Sequence, residues 1–247
     1  MGQYDDVAVI ILAAGKGTRM KSDLAKVLHK VAGKSMIVHV IESAVQVSPN
    51  NIHIVVGHQA QKVKDEITQY FQPYFALQKQ LRGTGDAVKA ALPGLNPNIK
   101  TILVLCGDVP LIKAKTLTDL VDGHVKNQSK VTVLATEVEN PTGYGRIVTD
   151  DDGQLLCIKE EADANDQEKQ IQKINAGVYC FDYTFLVSAI NEIQPNNNQA
   201  EYYLTDIIEI AQKKDEKIIV ITMNDPDQVM GVNTLKDLAK AEELILK

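Results

Sequence analysis

The chain has 247 residues, of which 45% are hydrophobic and 23% charged, with a net charge of −6 at pH 7 and no tryptophan. That length suits one α/β unit able to bury roughly 70–75% of its unfolded surface. The acidity and the 5% aromatic content count against a general binder of nucleic-acid backbone, but leave room for a small phosphate pocket with a few local cations.

The N-terminal Met1-Gly2-Gln3-Tyr4-Asp5-Asp6 has no basic stretch of a signal peptide, and Asp6 stands where a myristoylation motif needs Ser or Thr. Val7 to Ala13 (VAVIILA) is a continuous apolar run rich in β-branched residues, the pattern of a strand buried on both faces. Ile52 to Val56 and Ile102 to Cys106 repeat it, and helical stretches are expected near 36–47, 59–70 and 84–92. The second half is more mixed. Strands are expected over 131–137, 145–149, 154–160, 175–181 and 217–222, with a hairpin turn at Asp151-Asp152-Gly153. Helices are expected over 183–193, 202–214 and 234–246. Alternating strands and helices imply a Rossmann-like α/β fold, a mixed, mainly parallel sheet flanked by helices. Residues 1–247 read as one domain, with a nucleotide-binding lobe to about 112 and a substrate-binding lobe over about 113–247. No apolar run reaches membrane-spanning length. Cys106, Cys157 and Cys180 lack C-x-x-C spacing and fit a reducing compartment. A soluble cytoplasmic protein is expected, with no nucleic-acid or membrane partner.

After the first strand comes Leu12-Ala13-Ala14-Gly15-Lys16-Gly17-Thr18-Arg19-Met20. Ligands of open α/β sheets sit at the carboxyl ends of strands, and glycines there let backbone N–H groups approach a phosphate. Arg19 offers a planar bidentate donor and Lys26 a compact charge. The G-x-G-x-x-G fingerprint fails at Met20, and the P-loop spacing fails too. The bland alternative is a strand-ending turn with incidental surface cations. Asp108, after the strand ILVLCG, reads either as a Mg2+ ligand or as the cap of a helix near Lys113. Asn233 likewise precedes an expected helix and could simply cap it. The five histidines show no i, i+4 pair, and no Ser/His/Asp nucleophilic arrangement has support.

The stretch LAAGKGTRMKSDLAKVLHKVAGKSM resembles the signature of the sugar nucleotidylyltransferases, and among them the bacterial N-acetylglucosamine-1-phosphate uridylyltransferases. The likeness continues through Gly83-Thr84-Gly85, Cys106-Gly107-Asp108-Val109-Pro110-Leu111, Pro141-Thr142-Gly143-Tyr144-Gly145-Arg146-Ile147, Ile174-Asn175-Ala176-Gly177, Glu201-Tyr202-Tyr203-Leu204-Thr205-Asp206 and Gly231-Val232-Asn233, in the family's order over essentially the whole chain.

The resemblance implies the nucleotide-diphospho-sugar transferase type of fold. It also implies formation of UDP-N-acetylglucosamine and pyrophosphate from UTP and N-acetylglucosamine 1-phosphate, with Mg2+ as cofactor. Arg19 and Lys26 would be catalytic. Leu12, Ala13, Ala14 and Gly15 would hold the nucleotide, and Gln78, Gly83 and Thr84 its uracil. Cys106, Gly107, Gly145, Glu160, Asn175, Tyr203 and Thr205 would contact the sugar, and Asp108 and Asn233 would bind the metal. This chain departs from the family's pattern at Ala25, where relatives have Pro, at Cys106, often Tyr, at Ala176, and in Glu161-Ala162-Asp163-Ala164, where relatives often carry a basic residue. The bifunctional relatives continue into a left-handed β-helix that transfers acetyl groups and assembles trimers; nothing like it follows Lys247, so acetyl transfer is not expected, the relatives' trimerisation does not carry over, and the oligomeric state stays open. Another sugar 1-phosphate or nucleotide, or a non-catalytic nucleotide-sugar-binding protein, are the other readings.

Overall fold

In the computed structural model, which describes residues 4–246, the first apolar run is β1 (Val7–Ala13), an interior strand of a nine-stranded sheet. Met1 to Gln3, with their signal-peptide and acylation readings, lie outside the described residues. A two-residue-per-strand hairpin, β2 (Lys30–Val31) and β3 (Lys34–Ser35), leads into α1 (Met36–Ala44). Then come β4 (Ile52–Val56), α2 (Ala60–Thr68), β5 (Tyr74–Leu77), α3 (Thr84–Ala91) and β6 (Thr101–Cys106). The second half runs α4 (Ala114–Asn127), β7 (Val131–Glu137), β8 (Arg146–Thr149), β9 (Leu155–Lys159), β10 (Lys173–Asp182), α5 (Tyr183–Ala189), α6 (Ile207–Lys213), β11 (Ile218–Met223) and α7 (Leu235–Ile245).

The main row of strands is β11-β7-β10-β6-β1-β4-β5, and all of it runs one way except β10. β8 and β9 form an antiparallel arm joined to β10. Successive side chains of β1 serve opposite faces, as period-2 geometry requires. Val9 and Ile11 pack with α1, α2 and α4, and Ala8 and Ile10 with α3, α5 and α6. Truncating Ile10 or Ile11, both fully buried, to Ala would cost about 2–5 kcal/mol. A third apolar cluster, Val31, Met36, Val232 and Ala241 with Leu238 and Ile245, fastens α7 onto the β2–β3 hairpin. It thereby carries the far end of the chain back to the first sixty residues.

From β1 the chain moves outward to β4 and β5, then returns to β6 on the other side of β1. That reversal opens a crevice at the carboxyl ends of β1 and β6, where open α/β sheets bind ligands.

Several expected elements change. The helix expected over 183–193 ends as α5 at Ala189, and the one over 202–214 begins as a 3-10 turn, Leu204–Asp206, before α6. β5 was not expected; it is a short edge strand with no buried residue and so lacks an apolar signature. The hairpin turn at 151–153 forms as expected. Asp150 Oδ1 accepts from the Asp152 and Gln154 N–H groups at 3.1 and 2.7 Å, and Gly153 takes φ 79°.

Candidate active site

The glycine loop divides its labour. Gly15 has open space where a side chain would be, so its backbone can be approached. Gly17 sits at φ 64°, and a Cβ there would lie 2.5 Å from Lys26 Cβ. The second glycine therefore seats the Lys26 stem rather than a ligand. Met20 is buried and anchors the 3-10 turn Thr18–Met20, leaving Arg19 directed outward. Ala25 is buried at φ −54°, inside proline's range, and its N–H donates to Gln59 Oε1 at 3.1 Å. The backbone shape that the family's proline would impose is thus held here by a side chain from the next helix turn region.

Lys26 Nζ is ion-paired with Asp108 and donates to Asn233 Oδ1 at 3.0 Å, while Arg19 Nη2 donates to the same oxygen at 2.8 Å. Neither oxygen-bearing residue is a helix cap. Lys113 precedes α4, and Thr234 caps α7 in a reciprocal capping box with Asp237. Asn233 is brought to Asp108 by backbone: the Val232 N–H donates to the Asp108 carbonyl at 2.9 Å. Two hard oxygen donors, 125 positions apart in sequence, so converge on one ammonium. An ammonium held by a carboxylate and an amide oxygen marks a place chemically suited to an oxygen-seeking cation.

Across the cleft, Glu160 accepts from Thr205 Oγ1 at 3.0 Å, and burial raises its carboxyl above the ordinary range. Gly145 faces it: a Cβ there would meet Ile158 at 2.9 Å and Glu160 Oε2 at 3.5 Å. Asn175 sits where β10 leaves register with β7, three residues opposing one between Asn175 and Tyr179, with Gly177 at φ 69°. That bulge turns Asn175 and Tyr179 to one side, and Asn175 Nδ2 donates to Tyr179 Oη at 2.6 Å. Cys106 donates to the Gly177 carbonyl at 3.5 Å, and burial pushes its thiol up to about 12, so it is no thiolate nucleophile.

Leu12, Arg19, Lys26, Asp108 and Asn233 share this cleft with Thr84, Cys106, Gly145, Glu160, Asn175 and Thr205. Tyr203 lies on the outer side of Glu160, in a neighbouring polar cavity, its hydroxyl donating to Gln199 Oε1 at 2.9 Å. Ala13 is buried in the core, and Gly107 is a packing residue: its N–H donates to the Leu12 carbonyl at 2.9 Å, and a Cβ would strike Ile37. Gln78 is buried rather than exposed, beside Lys16, Gly57, His58 and Leu81. Ala14 adjoins that corner, since a Cβ on Gly57 would lie 2.9 Å from its own. Gly83, at φ 110°, caps α3 against the Tyr202 backbone, and Thr84 Oγ1 accepts from the Leu204 N–H at 2.9 Å. Sequence reasoning gave no role to Tyr144, Gly177, Tyr179 or Gly231, which also line the cleft. Tyr144, Gly177 and Gly231 stand inside the quoted motifs; Tyr179 reaches the cleft through the bulge, for which Gly177 was the only signal. Among the described residues no three or more His, Cys, Asp or Glu side chains form a metal cluster.

The family described as nucleotidyl transferase matches residues 8–244. The chain is 45% identical over 236 residues to the bifunctional protein GlmU of Geobacter metallireducens, covering 96% of this chain and 50% of that protein. It is 46% identical over 236 residues to that of Clostridioides difficile, with coverages of 96% and 51%. For Desulfotalea psychrophila the identity is 42% over 243 residues, with coverages of 98% and 71%. The chain thus spans about half the length of most of these relatives. Its backbone is similar, at a TM-score of 0.73 and 20% identity, to a crystal structure described as a glucose-1-phosphate thymidylyltransferase from Bacillus anthracis, covering 96% of this chain and 94% of that one.

Proposed function

The chain belongs to the nucleotidyl transferase family, and on that footing we propose that it makes UDP-N-acetylglucosamine and pyrophosphate from UTP and N-acetylglucosamine 1-phosphate. One observation carries the reading: a single cleft at the sheet's switch point sets Arg19, Lys26, Asp108 and Asn233 opposite Glu160, Asn175 and Thr205. Cations for a triphosphate and acceptors for sugar hydroxyls and an amide face one another there. The segments up to about residue 112 form the nucleotide lobe, and those from about 113 form the sugar lobe.

The sugar phosphate is already an anion, so its oxygen attacks the α-phosphorus without a general base. The bond from that phosphorus to the β-phosphate oxygen breaks, and pyrophosphate leaves with the electron pair. Positioning and charge neutralisation then carry catalysis. Arg19 stabilises the triphosphate and the departing pyrophosphate, and Lys26 the transferred phosphoryl. The backbone from Leu12 to Gly15 supports the nucleotide, and Gly145, Glu160, Asn175, Tyr203 and Thr205 orient the sugar. Asp108 and Asn233, the hard oxygens now sharing an ammonium, would hold Mg2+, which would supply neutralisation of phosphate charge. Among the described residues no helix is long and apolar enough to cross a membrane, and the three free cysteines favour the reducing cytoplasm.

Pyrophosphate release from UTP and N-acetylglucosamine 1-phosphate with Mg2+ tests the reading; no release would sink it. The Cys106 thiol favours a second reading, a different sugar at the same wall, because it brings no aromatic face to the cleft. A panel of sugar 1-phosphates separates the two.

A further inference from the structure

Gln78 Nε2 donates to the Gly83 carbonyl at 3.0 Å and to Asp86 Oδ2 at 2.9 Å. Both partners are acceptors only, so the amide cannot be turned round without facing oxygen to oxygen at both. Each N–H of the amide is therefore committed within the protein. Asp86 is itself held: its other oxygen, Oδ1, takes Arg82 Nη2 at 2.6 Å, and the Arg82 guanidinium lies 5.4 Å from the Tyr202 ring centre. The Gly83 carbonyl is set by the φ 110° cap, where a Cβ would lie 2.6 Å from the Tyr202 carbonyl oxygen. Gln78 Oε1 accepts no hydrogen bond from the described side chains or backbone, and the residue lines the open corner with Gly57, His58 and Leu81.

We propose that Asp86 is a positioning residue that locks the Gln78 amide with its carbonyl toward the nucleotide, so the site accepts a base presenting an N–H and rejects one presenting a lone pair there. Uracil carries a hydrogen on ring nitrogen 3; cytosine carries a lone pair on the same atom. The device rests on the reading of this chain as a uridylyltransferase and adds to it the source of pyrimidine choice. It is blind to a methyl group on the ring, so it separates UTP from CTP but not from thymidine nucleotides.

The test is the ratio of UTP to CTP binding, measured by calorimetry on the full chain, together with kcat/KM for each nucleotide. Asp86→Asn turns an acceptor into a potential donor and removes one of the two contacts that hold the Gln78 amide, leaving only the Gly83 carbonyl against its reversal. UTP binding should weaken, CTP binding should strengthen, and the ratio should fall by ~10–100-fold, the scale of one buried hydrogen bond exchanged for a mismatch. Asp86→Ala, the second variant, removes the same contact without adding a donor and should lower the ratio less. A merely structural Asp86 would weaken both nucleotides together and leave the ratio unchanged; that result in a folded variant overturns the proposal. Binding reads the device even in a chain without turnover, so failure of the uridylyltransfer reading would show separately, as wild-type protein that selects UTP but releases no pyrophosphate.

Discussion

Adjacent glutamates show how strongly place decides chemistry at the scale of one residue. Glu160 turns into the cleft, where desolvation raises its carboxyl; Glu161 turns outward, where the Gly143 N–H and Arg146 lower it. Asp206, beneath the same wall, is raised to about 6, first by burial and then by Glu209 and Glu160. A raised carboxyl binds its proton more tightly folded than unfolded, so the contribution of Asp206 to stability falls as pH rises through the window from about 4 to about 6. Asp206→Asn should flatten the urea-midpoint profile across that window and add on the order of 1 kcal/mol at pH 7. An unchanged profile would mean that Asp206 titrates as it does in the unfolded chain. Glu161 has the opposite sign: its contribution is present above the ordinary carboxylate range and is lost as pH falls below it. Asp108 is a different case, because its loss strands Lys26 and, on the proposed function, also removes a metal ligand. Asp108→Ala should keep the fold by circular dichroism while Mg2+-dependent pyrophosphate release falls by ~10³-fold or more. Persistent turnover would remove Asp108 from the metal.

At the scale of elements, the long buried strands were legible because an apolar β-branched run has few alternatives: β1, β4 and β7 carry the limits read from the sequence. β5 and the β2–β3 hairpin were not, β5 being short and without a buried residue and the hairpin having only two residues in each strand. The turn over residues 141–145 was legible as a motif but not as a mechanism. Arg146, 1% exposed, ion-pairs with Glu161 at 2.8 Å and donates to the Tyr144 carbonyl, while Glu161 accepts from the Gly143 N–H at 2.9 Å. The clamp joins two segments whose neighbouring residues, Tyr144, Gly145 and Glu160, line the cleft. Glu161→Gln removes the countercharge of a buried guanidinium and loosens that wall. KM for the sugar phosphate should rise by ~10-fold while KM for UTP changes less than twofold, consistent with a misplaced binding wall. Equal rises in both would assign the pair to overall stability instead. No local signal announces such a clamp, since Arg146 and Glu161 meet only once β8 and β9 have paired.

At the scale of the whole molecule, the fold class followed from the alternation of elements, whereas the joining of its two halves depends on contacts between distant segments. Gly85 N–H donates to the Tyr202 carbonyl at 2.8 Å, Tyr202 N–H to the Arg82 carbonyl at 2.7 Å, and Leu204 N–H to Thr84 Oγ1 at 2.9 Å. The loop at 82–85 and the strip at 202–205, which the proposed function places at the base and at the sugar, are therefore stitched into one unit about 120 positions apart. Ordering either side orders the other, which is the physical requirement for coupled binding. Sugar phosphate should accordingly bind more tightly to the nucleotide-loaded chain, by a coupling on the order of 1 kcal/mol. Thr84→Val keeps the shape of the side chain but removes the acceptor, leaving the Leu204 N–H without its partner. In that variant, calorimetric titration of sugar phosphate with and without nucleotide should give nearly equal affinities. If the full coupling survives, the stitch is structural only, and communication between the two sides runs instead through Asp108 and Asn233, whose link is the Val232 N–H on the Asp108 carbonyl.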